Sequence, residues 1–277
     1  MNSALRVGLP FLVAMALWPT CTLSEAGAAD EEDAFAFERS DVGKFEVLLD
    51  GKPLELQPGP LYTYDEVIAK WHNGTSWVWG AKGRPPVFLN TMLLGSTRYY
   101  EFISLSKKGP AVDTPYGVQW RPADGWDPKV IEGAPPTAPN RRARLVQMRN
   151  LARRFTIEQT QSSVQRLRLL PQPIYRYASE SDESLDGAIF AYLREGDLET
   201  ILVVDAAKSA PTDSNDGAKW VFDCMPVSID YQVARIDDEV VWEREKVSYA
   251  AAAESDATYF LTTRPGTPEE LGETPDE

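Results

Sequence analysis

Short runs of alternating apolar and polar residues recur along most of the chain, and this period of two is typical of half-buried β-strands. The clearest example is residues 44–56, where the turn dipeptide Asp50-Gly51 separates two apolar runs and predicts a hairpin. Asp237-Asp238 separates another pair of strand-like runs. Further strands are predicted around residues 77–79, 86–94, 99–106, 118–120, 188–193, 199–205, 220–224, 228–236, 239–243 and 258–263. The pattern therefore predicts an α+β protein that is mostly β.

One stretch, residues 140–160, has a helical period instead. Its apolar stripe consists of Leu145, Met148, Leu151, Ala152 and Phe155. Arg142, Arg149 and Arg153 fall together on one flank of that stripe, at positions i, i+7 and i+11. The stripe predicts a helix that is buried against a sheet, with residues 164–168 forming the strand that follows. The three arginines are candidates for binding phosphate, an anionic polysaccharide or lipid headgroups, or else for pairing with acids of the protein itself.

Two segments on either side of this helix resemble each other. LQPGPLYTY begins at Leu56 and LLPQPIYRY begins at Leu169, an offset of 113 residues. Without a gap, the offset pairs Tyr62 with Tyr175, Tyr64 with Tyr177, Gly74 with Gly187, Trp77 with Phe190, Trp79 with Tyr192 and Gly83 with Gly196. Further along the spacing changes, and we match Phe102 to Phe222 and residues 118–120 to residues 240–242. The repeat predicts an internal duplication: two similar β units bridged by the arginine-rich helix, either packed face to face or sharing one sheet.

The repeat also bears on which aromatic residues are scaffold. Trp77, Trp79, Phe190 and Tyr192 could form an aromatic platform for a sugar, but both units keep these positions aromatic, which favours a role in the core. Residues without a counterpart are freer to bind a ligand. Those of interest are Trp71, His72 and Trp126.

The first residues have the pattern of a signal peptide: Arg6, an apolar run over residues 7–18, and then Ala26-Gly27-Ala28. The run is shorter than the roughly 20 residues that cross a bilayer. We expect cleavage near Ala28 and export to the periplasm, the cell envelope or the exterior, with no transmembrane segment in the mature chain; the alternative is a signal kept as an anchor. The predicted divisions are a signal peptide (1–28), an acidic flexible lead-in (29–43), a first β unit with a proline-rich connection (44–139), the bridging helix (140–160), a second β unit (161–264) and an acidic disordered tail (265–277).

Charge and composition exclude several kinds of site. The net charge of −14 is concentrated at the two ends of the chain, which disfavours binding to nucleic acid. His72 is the only histidine, and Cys224 is the only cysteine outside the signal, so a histidine- or cysteine-based metal site is excluded. We expect Cys224 to be buried as a small hydrophobe. The sequence suggests neither a cofactor nor a metal.

Carboxylates are the remaining candidates for chemistry. Glu101 and Asp205 lie within apolar strands, where burial could raise a pKa into a range useful for acid–base catalysis. The simpler alternative is that each lies on the wet face of its strand.

Three motifs carry a family resemblance: RLVQMRNLARRF, then LRLLPQPIYRY, then DGAIFAY. At these motifs the sequence resembles a group of exported, uncharacterised proteins from planctomycete-type bacteria, over most of residues 45–245. The resemblance implies export and a single structural unit, and it brings no activity or catalytic residue. We therefore expect a non-catalytic binding or structural protein of the periplasm or envelope, with an anionic polymer or an envelope component as its partner. The alternative is a glycan-acting hydrolase that uses strand carboxylates.

Overall fold

Antiparallel hairpins make up most of the molecule, as the alternating pattern predicts. The computed structural model describes residues 36–66, 71–178, 184–208, 217–268 and 270–271, and of residues 65, 66 and 71–73 it describes the backbone only. The predicted signal peptide lies outside the described residues. Within them, no helix combines the length and the apolar character needed to cross a membrane.

The first half of the chain builds one small sheet and most of a large one. The small one, outer sheet 1, has the order β2-β1-β7-β8, with β1 at Glu46–Leu49, β2 at Lys52–Pro53, β7 at Ala111–Asp113 and β8 at Gln119–Trp120. A helix, α1 at Ala36–Val42, precedes it. The large one, central sheet 1, has the order β19-β6-β5-β4-β3, with β3 at Tyr62–Glu66, β4 at Trp71–Trp79, β5 at Val87–Leu94, β6 at Thr97–Ser104 and β19 at Tyr259–Pro265.

The second half builds a corresponding pair of sheets. Central sheet 2 has the order β12-β14-β15-β16-β9, with β13 also paired to β14; the strands are β9 at Lys129–Val130, β12 at Arg168–Leu169, β13 at Tyr175–Tyr177, β14 at Ser184–Arg194, β15 at Asp197–Ala207 and β16 at Lys219–Pro226. Outer sheet 2 has the order β11-β10-β17-β18, with β10 at Phe155–Thr160, β11 at Val164–Arg166, β17 at Tyr231–Ile236 and β18 at Glu239–Arg244. Two helices accompany these sheets: α2 at Arg141–Ala152 and α3 at Tyr249–Ala252.

Three hydrophobic cores stack these sheets into layers. One core joins the two central sheets, through residues such as Val78 and Val203. A second lies between central sheet 2, outer sheet 2 and α2. The third lies between central sheet 1, outer sheet 1 and α1. Because side chains alternate along a strand, each central sheet supplies residues to two cores. Trp77, Trp79, Phe190 and Tyr192 are all buried in the two outer cores, which confirms the expected core role of these aromatics.

The central sheets share the same strand register. Tyr62 pairs with Ser76 and Tyr64 with Gly74 in central sheet 1. In central sheet 2, Tyr175 pairs with Ile189 and Tyr177 with Gly187. All four residue numbers differ by 113 between the sheets. At the next strand, Phe102 pairs with Leu89, whereas Leu202, 113 residues after Leu89, pairs with Cys224. This pairing does not favour the predicted match of Phe102 to Phe222.

The arginine-rich helix is shorter than predicted. It starts after Asn140, whose side chain caps the amide of Ala143, and it ends at Ala152 rather than at residue 160. Residues 155–160 form β10 because their apolar side chains alternate and include β-branched residues, and they pair with β17. The apolar stripe is buried at Met148, Leu151, Ala152 and Phe155 and half-buried at Leu145. Residues 164–169 form the predicted strand segments β11 and β12.

Parts of both segments that were predicted to be flexible are ordered: residues 36–43 of the lead-in, and residues 265–268 and 270–271 of the tail. Part of the acidic lead-in forms α1, and its Asp41 is buried against Arg264, with the ions 3.2 Å apart. Glu270, predicted to lie in a disordered tail, has a fully buried side chain that binds Arg98 and Arg264 at 2.7 Å each. The reason is electrostatic: the buried guanidinium groups on β6 and β19 need carboxylate partners, and the chain ends supply them. We call Asp41, Arg98, Arg264 and Glu270 the terminal ion cluster.

The two predicted units also exchange strands. β19 lies within the predicted second unit but pairs with β6 of central sheet 1. β9 lies within the predicted proline-rich connection but pairs with β16 of central sheet 2. The two halves therefore form one stack of sheets that the chain crosses more than once.

Candidate functional site

Five arginines in α2 and directly after it divide into a paired and an unpaired group. Arg144 is buried and binds Asp186 at 2.8 Å, and Arg154 binds Asp237 at 2.7 Å. In contrast, Arg142, Arg149 and Arg153, the three singled out from the sequence, form no ion pair with any described residue. We call these three the basic helix face.

The basic helix face is exposed at its two ends and half-buried in the middle. Arg142 and Arg153 are exposed, and Arg149 is half-buried. The guanidinium of Arg153 donates a hydrogen bond to the side chain of Asn150, at 3.0 Å. With a rise of 1.5 Å per residue, the eleven-residue span from Arg142 to Arg153 places three guanidinium groups along roughly 16 Å of surface. Val146, which is 51% exposed, lies on the same helix.

The other sequence candidates lie elsewhere. Trp71 and His72 are on β4, opposite Leu94 and Leu93, and their side chains lie outside the described part of the chain. Trp126 is buried, and the guanidinium of Arg84 stacks on its ring at 3.9 Å from the centroid. Among the described residues, the cavity that Trp126 lines includes none of the arginines of the basic helix face.

Trp126 lines a cavity of about 610 Å³ at one end of the central core. We call it the Trp126 pocket. Its walls come from the loop before β9, from β16, from the end of β18, from α3 and from the start of β19. The volume lies within the range of small-molecule sites. Trp242, Arg244 and Asp223 also line the pocket, and none of the three was selected from the sequence.

Asp223 is the buried acid of the Trp126 pocket. Burial raises its pKa to about 7, against opposing hydrogen bonds from the backbone amides of Asp127 and Cys224. The amide of Asp127 donates to Asp223 Oδ2 at 2.8 Å. Near neutral pH this carboxyl can thus either donate or accept a hydrogen bond. Asp223 lies in an apolar strand as Glu101 and Asp205 do, so the same sequence signal would have found it.

Among the described residues that line this pocket, Arg244 is the one with a basic side chain. Its guanidinium lies over the ring of Tyr259, 4.8 Å from the centroid, and donates to the backbone oxygen of Ser228. Burial lowers the pKa of Arg244.

A second cavity, of about 250 Å³, lies on the other side of Tyr259. Glu101 lines it and accepts hydrogen bonds from Tyr259 at 2.6 Å and from Asn90 at 2.9 Å. Burial raises the pKa of Glu101 to about 8. Glu199 lines the same cavity, and burial together with the nearby charge of Asp197 raises its pKa to about 8. We call this the Glu101 cavity.

Asp205, the other predicted strand acid, is enclosed by hydrogen-bond donors. It accepts from Ser184 at 2.6 Å and from Tyr177 at 2.8 Å, and Arg84 lies 3.4 Å away. Burial raises its pKa, and these three donors oppose the rise. An acid that is already saturated with donors has little capacity to act on a ligand, so Asp205 is a structural residue.

Metal binding and thiol chemistry find no support at these sites. Within the described ranges, no group of three or more His, Cys, Asp or Glu side chains is arranged to hold a metal ion. Cys224 is buried, as expected, and burial raises the pKa of its thiol well above the ordinary value.

Comparison with known proteins yields no match: no family model, no curated protein and no solved structure is similar to this chain. Function therefore has to be argued from the sites themselves.

Proposed function

We propose that the protein is an exported, non-catalytic binding protein of the periplasm or cell envelope, and that its basic helix face binds an anionic polysaccharide. The supporting observation is the division among the arginines of α2. Arg144 and Arg154 form ion pairs, whereas Arg142, Arg149 and Arg153 form none with the described residues. The signal-peptide pattern of residues 1–28 supports the location.

A linear polyanion suits the geometry of this face. The guanidinium groups follow one side of a helix for roughly 16 Å, so successive acidic groups of an extended polymer could each meet one arginine. Guanidinium binds carboxylate and sulfate oxygens through paired hydrogen bonds, which makes arginine better suited than lysine to this contact. Because the side chains are largely exposed, the attraction is weakened by salt.

Retention on an immobilised polyanion tests the proposal. The full-length mature protein is applied to heparin beads at two salt concentrations, beside Arg142→Ala/Arg149→Ala/Arg153→Ala. A control of equal charge change is Lys44→Ala/Lys52→Ala/Lys108→Ala, whose side chains are exposed. We expect salt-sensitive retention of the wild type and the control and its loss in the arginine variant. Retention that persists in the arginine variant, or is absent in the wild type, would refute the proposal; preferential binding to anionic lipid vesicles would assign the face to a membrane surface instead.

The helix that carries this face also supports a duplicated architecture. We infer that the chain arose from two copies of one β unit, with α2 introducing the second copy as α1 introduces the first. The common register of the central sheets supports this inference, as do two further pairs: Val112 lies opposite Trp120, and Ala234 opposite Trp242, both shifted by 122 residues. Phe45 and Phe155, which begin the two copies, are both buried.

A glycan-acting hydrolase is the second candidate, and one observation favours it. Glu101 and Glu199 line one cavity, and the pKa of each is raised to about 8, so one could hold a proton while the other accepts one. Hydrolysis of chromogenic glycosides near neutral pH, lost in Glu101→Gln, would establish this activity. No turnover across a panel of such substrates would leave the binding proposal as the only candidate.

A further inference from the structure

We propose that the Trp126 pocket binds an uncharged, hydroxyl-rich ring such as a neutral sugar unit. The pocket is separate from the basic helix face, so this inference does not rest on the proposed function. Its support comes from the charges, the aromatic rings and the apolar side chains that line the pocket.

The charge of the lining disfavours an anion. Four carboxyl side chains line the pocket, on Asp124, Asp127, Asp223 and Glu243, against the single guanidinium of Arg244. An anionic ligand inside the pocket would meet more electrostatic repulsion from the carboxylates than attraction to Arg244. The lining of the pocket is thus mainly acidic, whereas the basic helix face is positively charged.

The aromatic rings disfavour a cation. A cationic ligand in an aromatic pocket gains most of its affinity from ring faces. Here, protein guanidinium groups already occupy two of them: Arg84 lies over Trp126 at 3.9 Å, and Arg244 lies over Tyr259 at 4.8 Å. An incoming amine would have to displace these groups or lie beside the positive charge of Arg244.

The remaining lining matches a neutral ring. Trp242 is half-buried, and Met225, Val247 and Ala251 add apolar surface beside it. A sugar ring presents C–H groups on its face, which pack on such surface, and hydroxyl groups around its rim. Each hydroxyl both donates and accepts, so it can donate to a carboxylate and accept from Arg244.

Asp223 suits the same ligand. Its carboxyl is buried and partly protonated near neutral pH, so it can adapt to either hydrogen-bonding direction of a hydroxyl group. A ring at this position would contact Asp223 on β16 and Trp242 on β18 at once, joining central sheet 2 to outer sheet 2.

Calorimetric titration of the full-length mature protein tests the proposal. The neutral probes are trisaccharides of glucose, of N-acetylglucosamine and of mannose. The charged probes keep the ring and change the charge: the deacetylated glucosamine trisaccharide is a cation, and a glucuronate trisaccharide is an anion. We expect one-to-one binding of at least one neutral probe, and binding of its charged counterpart weaker by about tenfold or more.

Two variants locate the binding. Trp242→Ala should weaken it by about tenfold or more, and Asp124→Asn, an exposed change that leaves the core intact, should weaken it by about threefold or more. Tyr249→Ala, which removes an exposed ring outside the pocket, should leave it unchanged. No saturable binding of any neutral probe would overturn the proposal. So would tighter binding of a charged probe, or equal binding by wild type, Trp242→Ala and Asp124→Asn. The arginine triple variant of the basic helix face should keep its sugar binding, which separates this proposal from the previous one.

Discussion

Two glutamates with buried side chains have opposite surroundings. Glu270, in the terminal ion cluster, meets two guanidinium groups, and although burial opposes it, hydrogen bonds from Arg264 and Thr267 lower its pKa to about 2. Glu101, in the central core, meets an amide and a phenol, and burial raises its pKa to about 8. Burial disfavours the charged form of both side chains, so the opposite directions of their pKa shifts come from their partners.

The comparison separates a residue that holds the fold together from one that is free to act. Glu270 links Arg98 of β6 to Arg264 of β19 and has no capacity left for a ligand. Glu101 is kept as a neutral acid at a cavity wall, a costly arrangement for stability alone. Glu101, which forms no ion pair with a described residue, is thus a better functional candidate than Glu270.

Removing Glu270 from the terminal ion cluster should have the largest effect. Glu270→Ala leaves Arg98 and Arg264 buried with one carboxylate fewer, and we expect a loss of about 4 kcal/mol in the free energy of unfolding. Urea unfolding near neutral pH measures it. Glu254→Ala, at an exposed position, is the control and should change stability by less than about 0.5 kcal/mol. Wild-type stability in Glu270→Ala would contradict a structural role for Glu270 and would favour the prediction of a disordered tail over residues 265–277.

The opposite sign is expected for Glu101. Its folded pKa lies above the ordinary 4.5, so its favourable contribution is present below about pH 4.5 and is lost as pH rises through about 8. Glu101→Gln keeps the shape of the side chain but cannot ionise. As pH rises from about 5 to about 8, the free energy of unfolding of this variant should increase by on the order of 3 kcal/mol relative to wild type. Urea unfolding at several pH values measures the difference. If stability depended on pH in the same way in wild type and in Glu101→Gln, ionisation of Glu101 would not cost the folded protein any stability, which would contradict the raised pKa.

The two acids together shape the pH dependence of the wild type. The contribution of Glu270 is present above about pH 4.5 and is lost as pH falls toward about 2. The contribution of Glu101 is lost as pH rises toward about 8. We therefore expect the free energy of unfolding to be largest in mildly acidic solution. A maximum near pH 8 would contradict the opposite contributions assigned to Glu101 and Glu270.

A smaller effect is expected where the tyrosine rings lie on glycines. An added Cβ at Gly74 would come within 2.5 Å of the Tyr64 ring, whose hydroxyl accepts from Asn90, the residue that holds Glu101. Gly74→Ala should therefore cost about 2 kcal/mol, and so should Gly187→Ala, where the Cβ would lie 2.3 Å from Tyr177. Thermal or urea unfolding provides the measurement. Gly59→Ala, with open space around it, should be neutral, and a neutral Gly74→Ala would argue against the close contact.

The smallest effect should come from Tyr259→Phe. The change removes one hydrogen bond to the Glu101 carboxyl, for a loss of about 1 kcal/mol, and should raise the pKa of Glu101 further because that bond favours the charged form. Comparing unfolding curves above and below neutral pH separates the two effects. A lowered pKa would show that Tyr259 serves a different function.

Local pattern was enough to predict much of the fold. The turns at Asp50-Gly51 and Asp237-Asp238 have positive φ at both residues, as tight hairpins require, and they follow from the sequence directly. The burial of Trp77 and Tyr192 was predicted from the repeat, since both halves have aromatic residues at these positions. The length of α2 was overestimated because Phe155 continues the helical spacing, although β-branched neighbours and pairing with β17 make it part of a strand.

Contacts between residues that are far apart in sequence could not be predicted from local pattern. β19 pairs with β6 across about 160 residues of sequence, and no local pattern encodes that pairing. The terminal ion cluster depends on it, so Glu270 resembled an ordinary tail acid. The Trp126 pocket likewise combines segments near residues 126, 223, 244 and 259, and only Trp126 stood out beforehand. Glu101 was found because a carboxylate in an apolar strand is a local signal.

The distinction between Glu270 and Glu101 can be measured directly by carbon-13 NMR of the side-chain carboxyl groups, with Glu101→Gln and Glu270→Gln assigning the signals. Following both resonances from acid to alkaline pH yields the two pKa values in one titration. We predict that Glu101 titrates near pH 8 and Glu270 near pH 2. Titration of both near the ordinary value of 4.5 would contradict the claim that their partners divide these buried acids into a structural residue and a functional candidate.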